Sequence, residues 1–287
     1  MFDADEYKRA NRDQWEATAQ AWHDWMPLVS KWLNEATGLM LDMTGISSGH
    51  RVLDLAAGDG EQSVEAARRV GPTGYVLATD IAPNFVALAD QVAKDAGFAQ
   101  LEARLMDAEN LDLPDASFDA VISRLGLMYF PNLQRALEET LRVLRPGGHI
   151  STIVFTTAQR SPFFSIPTTI IRRRAKLPAP APGEPGPFSL GNPDVLAQHL
   201  RAVGFEDVEY RVISAPLRMA SAAECRGWRQ ETSGTLQQML IGVVEEERQM
   251  IWAEVEEEFR RFEGPEGFES PCELLVCSGT KATKTVQ

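Results

Sequence analysis

Residues 52–63 read VLDLAAGDGEQS, and the fold is decided within them. The run RVLDL at 51–55 has strand character and carries Asp54. A turn with Gly58 and Gly60 follows, and polar helix-forming residues begin at Glu61. Glycine permits a sharp bend and lets backbone approach a ligand with no side chain between them. A GxG turn between strand and helix serves many nucleotide-like ligands, so its surroundings must narrow the reading.

Working outward, further strand-type runs are YVLATD (75–80), LEARLM (101–106), FDAVIS (118–123) and HISTIVF (149–155). Helical stretches begin near Glu61, Pro83 and Asn132, the last closing in LRVLRPGG. This alternation predicts a parallel sheet with helices on both faces, because each right-handed crossover returns the chain to the same edge. Residues 158–192 read as an insertion, and its stretch PAPAPGEPGP (178–187), with five prolines, reads as an extended surface linker. Asn192–Pro193 starts a helix that leads to a strand at VEYRVI. A helical segment over 214–270, with helices at about 221–231 and 235–263, then precedes a last strand, ELLVCSG (273–279).

Residues 1–45 read as helix interrupted at Pro27, with Trp15, Trp22, Trp25 and Trp32 at separations of 7, 3 and 7. That spacing makes an aromatic stripe which must pack on something. The division expected is an N-terminal helical lid, 1–45, over a body formed by 46–287.

Composition bounds the function. The 287 residues are 44% hydrophobic and 24% charged, as in soluble globular proteins. Twenty-eight basic against 41 acidic side chains give a net charge of −13, which argues against a nucleic-acid partner. The longest apolar run, LGLMYF (125–130), is far short of the roughly 18 residues of a membrane span. The opening MFDADEYKRA has no apolar segment, so the cytoplasm is the expected location. Cysteines 225, 272 and 277 fit neither a disulfide framework nor a zinc site, and no metal is expected. Composition implies no particular oligomeric state.

Asp80 ends the second strand, 20 residues beyond Gly60, where a carboxylate can accept hydrogen bonds from both hydroxyls of a ribose. Asp107 follows the third strand and brings another acid to the carboxyl edge of the sheet. With Asp54, three acids ring the expected pocket. They disfavour a pyrophosphate and suit a cationic, amino-bearing nucleoside.

The ordered set VLDLAAGDG, LATDIAP, LMDAENLDLPDASFDAVISRLGLMYFPN and LRVLRPGGHI resembles the class I S-adenosylmethionine-dependent methyltransferases. Within them it is similar to the broad group (methyltransferase type 11) that includes ubiquinone and menaquinone methyltransferases. The resemblance is close over about residues 46–155. It implies an α/β, Rossmann-like, seven-stranded and mostly parallel sheet whose reversed last strand is ELLVCSG. It implies S-adenosyl-L-methionine as cofactor. Asp54, Ala56, Gly58 and Gly60 match the positions that hold the methionine moiety, Asp80 with Ile81 those at the ribose, and Asp107 with Ala108 those at the adenine amino group. Ala56 stands where the family often has its first glycine, and one methyl group needs little room. NRDQWEATAQAWHDW replaces the N-terminal segments of the quinone enzymes, which argues against a prenylated quinone acceptor.

Methyl transfer is an in-line displacement, so the protein's task is alignment in a dry pocket. The expected acceptor wall comprises Met128 and Tyr129 in the loop 123–130, Trp22 and His23 in the lid, and Phe164 in the insertion. Arg124, ending its strand at the cofactor edge, is a candidate cofactor contact, and either orients a polar or anionic acceptor or makes a structural ion pair. His23 is a candidate general base or a hydrogen-bonding residue of the lid. The function expected is methyl transfer to O, N or C of a small, largely apolar, aromatic-type acceptor. Two alternatives stay open: a non-catalytic S-adenosylmethionine-binding regulator, and an NAD-linked reductase. Ser63 in place of a third glycine and Asp54 beside the phosphate position disfavour the reductase.

Overall fold

The computed structural model describes residues 3–180 and 183–283, so part of the predicted proline-rich linker lies outside the described residues. The chain opens with two helices, α1 (Ala4–Asp24) and α2 (Met26–Met43), divided where Pro27 sits in the first turn of the second. Then follow β1 (Arg51–Leu55), α3 (Glu61–Val70), β2 (Tyr75–Asp80), α4 (Pro83–Asp95), β3 (Leu101–Leu105) and β4 (Phe118–Arg124). A single 3₁₀ turn, Leu127–Tyr129, leads to α5 (Leu133–Val143), β5 (Leu144–Phe155), α6 (Pro162–Arg174), α7 (Pro193–Val203) and β6 (Phe205–Ser214). The remainder comprises β7 (Leu217–Met219), α8 (Ala222–Thr232), α9 (Gly234–Met239), α10 (Glu245–Arg260), β8 (Glu263–Gly264), β9 (Gly267–Ser270) and β10 (Glu273–Lys281).

Seven strands form one sheet in the order β3-β2-β1-β4-β5-β10-β6, and β10 runs antiparallel to both of its neighbours. This is the mostly parallel, Rossmann-like arrangement with a reversed last strand. Val52, Leu53, Ala120, Val121, Ile122 and Leu274–Cys277 are all buried, as continuous apolar strands covered on both faces must be. The strand order reverses between β1 and β4, which opens a crevice at their carboxyl ends.

Three features differ from the sequence reading. β5 starts at Leu144 and takes in Pro146–Gly148, with a register shift against β4; a Cβ on Gly148 would come 2.9 Å from the Asp119 carbonyl oxygen, so only glycine passes there. The helix expected over 235–263 is two helices, because Gly242 turns the chain at φ +82°. The segment 214–270 is not wholly helical: β7, β9 and β8 form a small sheet, and β8 and β9 make a hairpin around Pro265 and Glu266.

The N-terminal helices also differ from each other. α2 contributes Val29, Trp32, Leu33, Ala36, Met40 and Leu41 to the main core, whereas α1 packs through Ala19 into a separate small cluster with Ala82 and Phe85.

Candidate functional site

The turn after β1 lies at the crevice. Ala56, Gly58 and Gly60 have φ of +54°, +59° and +81°, and the Ala57 amide donates to the Thr79 carbonyl at 2.9 Å, tying the turn to β2. The left-handed Ala56 keeps its methyl because Gly126, after β4, has none: a Cβ there would come within 2.6 Å of the Ala56 Cβ.

Asp54 is fully buried. Its Oδ2 accepts from the Ser63 hydroxyl at 2.5 Å, and its Oδ1 has no hydrogen-bond partner among the described residues. Burial pushes this carboxyl up to about 7, against the Ser63 hydrogen bond, the nearby Gln62 amide and the charge of Arg124. Asp80 accepts from the Gly58 amide at 3.0 Å and the Ala82 amide at 2.9 Å, and burial raises it to about 6 despite those bonds. Asp107 accepts from the Glu109 amide at 2.9 Å and from Lys8 Nζ at 2.8 Å. Lys8 also bonds Glu109, so α1 is latched to the acid after β3. Ile81 and Ala108 line the same cleft, which thus gathers every position proposed for the cofactor except the recessed Asp54 and Gly60.

The opposite wall is aromatic and aliphatic: Trp15, Trp22, Met26, Val29, Leu33, Phe85, Tyr129 and Phe130. Trp15 meets Tyr129 edge-on at 5.3 Å, and Trp22 Nε1 donates to the Thr232 carbonyl at 2.8 Å. Burial drives the Tyr129 hydroxyl well above its usual range. Arg124 lines the cleft at the end of β4, paired with Glu61 and donating to Thr37 Oγ1 at 3.0 Å. His23 Nδ1 lies 3.3 Å from Asp59 Oδ2, and Asp59 lines the cleft.

Two residues of the predicted acceptor wall sit elsewhere. The Met128 side chain is buried, while its carbonyl accepts from the Gly186 amide at 2.9 Å and the Ser189 hydroxyl at 3.0 Å, pinning the insertion over the loop. Phe164 packs on Phe155 at 4.9 Å and under the Arg229 guanidinium at 3.9 Å, one layer behind the cleft. Conversely, Lys8, Asp59 and Glu61 are brought in by tertiary pairing that no local pattern announces. Trp15 was visible in the tryptophan stripe.

Residues 46–174 match the family model described as a methyltransferase domain. This stretch of the chain is similar to that domain family. Asp54, Asp80, Asp107, Arg124 and Tyr129 all fall within it, whereas Lys8, Trp15 and Trp22 reach the cleft from outside and His23, which does not line it, meets the cleft residue Asp59. Over 117 residues the chain is 37% identical to the ubiquinone/menaquinone biosynthesis C-methyltransferase UbiE of Pseudomonas entomophila, a match covering 40% of this chain and 46% of UbiE. The chain thus spans about half the length of the curated relatives it matches. The YcgJ protein of Bacillus subtilis superposes with a TM-score of 0.60, covering 87% of this chain and 99% of YcgJ at 18% identity. The [4+2]-cyclase SpnF superposes with a TM-score of 0.56, covering 94% and 96% at 19% identity. At these identities the likeness is one of fold, and a fold does not fix a reaction. The site itself must carry the chemistry.

Proposed function

We propose that this chain transfers a methyl group from S-adenosyl-L-methionine to a small, largely apolar acceptor. One observation carries the proposal: the cleft at the carboxyl edge of the sheet, where Asp80 and Asp107 stand beside the glycine turn and the buried Asp54 backs it. Asp54 and the turn amides would hold the amino-acid part of the cofactor, Asp80 with Ile81 the ribose, and Asp107 with Ala108 the adenine amino group. When bound, the cofactor supplies an electrophilic methyl on a sulfonium. The ring-lined wall of Trp15, Trp22 and Tyr129 would orient an apolar acceptor and exclude water.

We further propose that Asp59 holds His23 in the tautomer with its proton on Nδ1, leaving Nε2 to accept a proton from a hydroxyl acceptor. Arg124 is committed to Glu61, so its role is to shape the cleft beside the turn. α1 is the part of the cover able to open, since its fully buried apolar residue, Ala19, lies in a small cluster apart from the main core, which α1 meets through the half-buried Trp22. Among the described residues no helix is long and apolar enough to cross a membrane, and the net charge of −13 favours a small molecule over nucleic acid.

Calorimetry with S-adenosylmethionine, S-adenosylhomocysteine and NADH tests the cofactor. A labelled-methyl screen over phenols, amines and activated carbon acids then tests the transfer. Micromolar binding of the first two and none of NADH is expected. Tight NADH binding without response to S-adenosylmethionine overturns the reading.

A further inference from the structure

Arg229, on α8, is only 1% exposed. Among the described residues it makes no ion pair, and its Nε is buried with no acceptor. Its surroundings are rings: the guanidinium carbon lies 3.9 Å from the Phe164 centroid and 5.4 Å from that of Trp228. Burial lowers its pKa only to about 10, so it stays charged at neutral pH. A buried cation with neither counter-charge nor hydrogen bond is costly, and ring faces compensate only in part. Proteins keep such a group where something else completes it.

The position says what that is. Trp22 lines the cleft and meets Trp228, the neighbour of Arg229, edge-on at 6.0 Å. Tyr129, also in the cleft wall, lies near enough to feel the Arg229 charge. The guanidinium therefore lies against Phe164 and Trp228, and Trp228 in turn meets the cleft-lining Trp22. Its buried Nε–H is an open donor, and Nε with a terminal nitrogen forms the planar fork that a carboxylate meets with both oxygens.

We propose that Arg229 is a specificity residue that pairs with a carboxylate carried by the acceptor, the apolar part of which lies between Trp22 and Tyr129. This rests on the methyltransferase reading and narrows its substrate class to aromatic or aliphatic acids. The acceptor enters with α1 displaced, and its carboxylate supplies the charge that the fold withholds from Arg229. Cys225, one turn earlier on α8, is a buried thiol pushed well above its usual range and offers no anion in its place.

The test uses the full chain loaded with S-adenosylhomocysteine. It is titrated with benzoate and phenylacetate, then with benzamide and phenylacetamide, followed by calorimetry and by the emission of the adjoining tryptophans. The acids should bind at least tenfold more tightly than the amides. Arg229→Gln should remove that preference while leaving S-adenosylhomocysteine affinity within twofold. Arg229→Lys, which keeps the charge but loses the fork, should reduce the preference severalfold, and it decides the matter should the glutamine variant not fold. Equal affinity for acids and amides, no binding of either acid, or a preference that survives both substitutions overturns the proposal. Failure of the wild-type chain to bind S-adenosylhomocysteine would instead overturn the methyltransferase reading on which it stands.

Discussion

Asp54 concentrates the chemistry of the free site in one titration. A carboxyl held near 7 when folded, against an ordinary 3.8, binds its proton more tightly in the native state. Its contribution to stability is therefore fully present below about pH 4 and is lost as pH rises through 7. Ligand-free protein should accordingly be easier to unfold at pH 8 than at pH 5, and Asp54→Asn should flatten that difference. Denaturant midpoints at the two pH values read this directly, and a variant that keeps the wild-type slope would place the effect elsewhere. Cofactor binding should run the opposite way, since a cationic ligand needs the ionised carboxylate. Affinity should climb between pH 6 and 8 with release of a proton, and Asp80, raised to about 6, adds in the same direction at the lower end. Asp80→Ala should weaken S-adenosylmethionine binding at least tenfold, in line with the roughly 1.5–3 kcal/mol of a charge-assisted hydrogen bond. It should also lower Tm, because the Gly58 and Ala82 amides lose their acceptor. Affinity unchanged within twofold would show that the ribose lies elsewhere.

At the scale of elements, α1 and α2 behave as different objects despite their shared tryptophan pattern. Trp32 stacks on Phe155 within the main core, while Trp15 and Trp22 face the cleft from a helix tied down by Lys8, by Glu16 at the Asn84 amide, by Trp22 at the Thr232 carbonyl and Trp228 ring, and by one small apolar cluster. Hydrogen exchange should show amides of 5–24 becoming protected on addition of S-adenosylhomocysteine and those of 29–41 protected throughout. Slow exchange over 5–24 without ligand would make α1 ordinary core. Lys8→Ala removes the latch to Asp107 and Glu109 and should speed release of S-adenosylhomocysteine severalfold in stopped flow, with little change in Tm. The strand and helix pattern over 46–155 was legible because each element carries its own signal: an apolar run, a glycine turn, a proline at a first helical turn. The break between α9 and α10 had one too, Gly242 followed by Glu245–Glu247, acids that favour a helix start over a helix middle. What could not be read are pairs that only the fold creates, such as His23 with Asp59, Arg124 with Glu61, and Arg229 with the rings of Phe164 and Trp228. No periodicity distinguishes the arginine of CRGWRQE from a solvated one.

For the whole molecule, the net charge of −13 acts at a distance that contacts do not. At low salt it draws cations toward a cleft edged with Asp59, Asp80, Asp107 and Glu109, and it repels anions, so a carboxylate acceptor depends on the buried Arg229 once inside. Nucleic acid should be ignored at physiological salt for the same reason, and a salt-dependent shift of an RNA or duplex DNA probe would refute that. The two forms of the cofactor supply a sharper test, since they differ by one charge. S-adenosylmethionine carries a net positive charge at neutral pH, and its demethylated product carries none. Steering should therefore speed association of the first, and the advantage should shrink as the screening length falls from about 30 Å at 0.01 M salt to about 8 Å at 0.15 M. Association of the product should change little over the same range. Stopped-flow traces of tryptophan emission at several ionic strengths measure both rates on one protein. If both slow equally, salt is acting on the opening of α1 rather than on the approach of the ligand. If neither slows, the acids at the cleft are neutralised before the ligand arrives, and the long-range part of the argument falls.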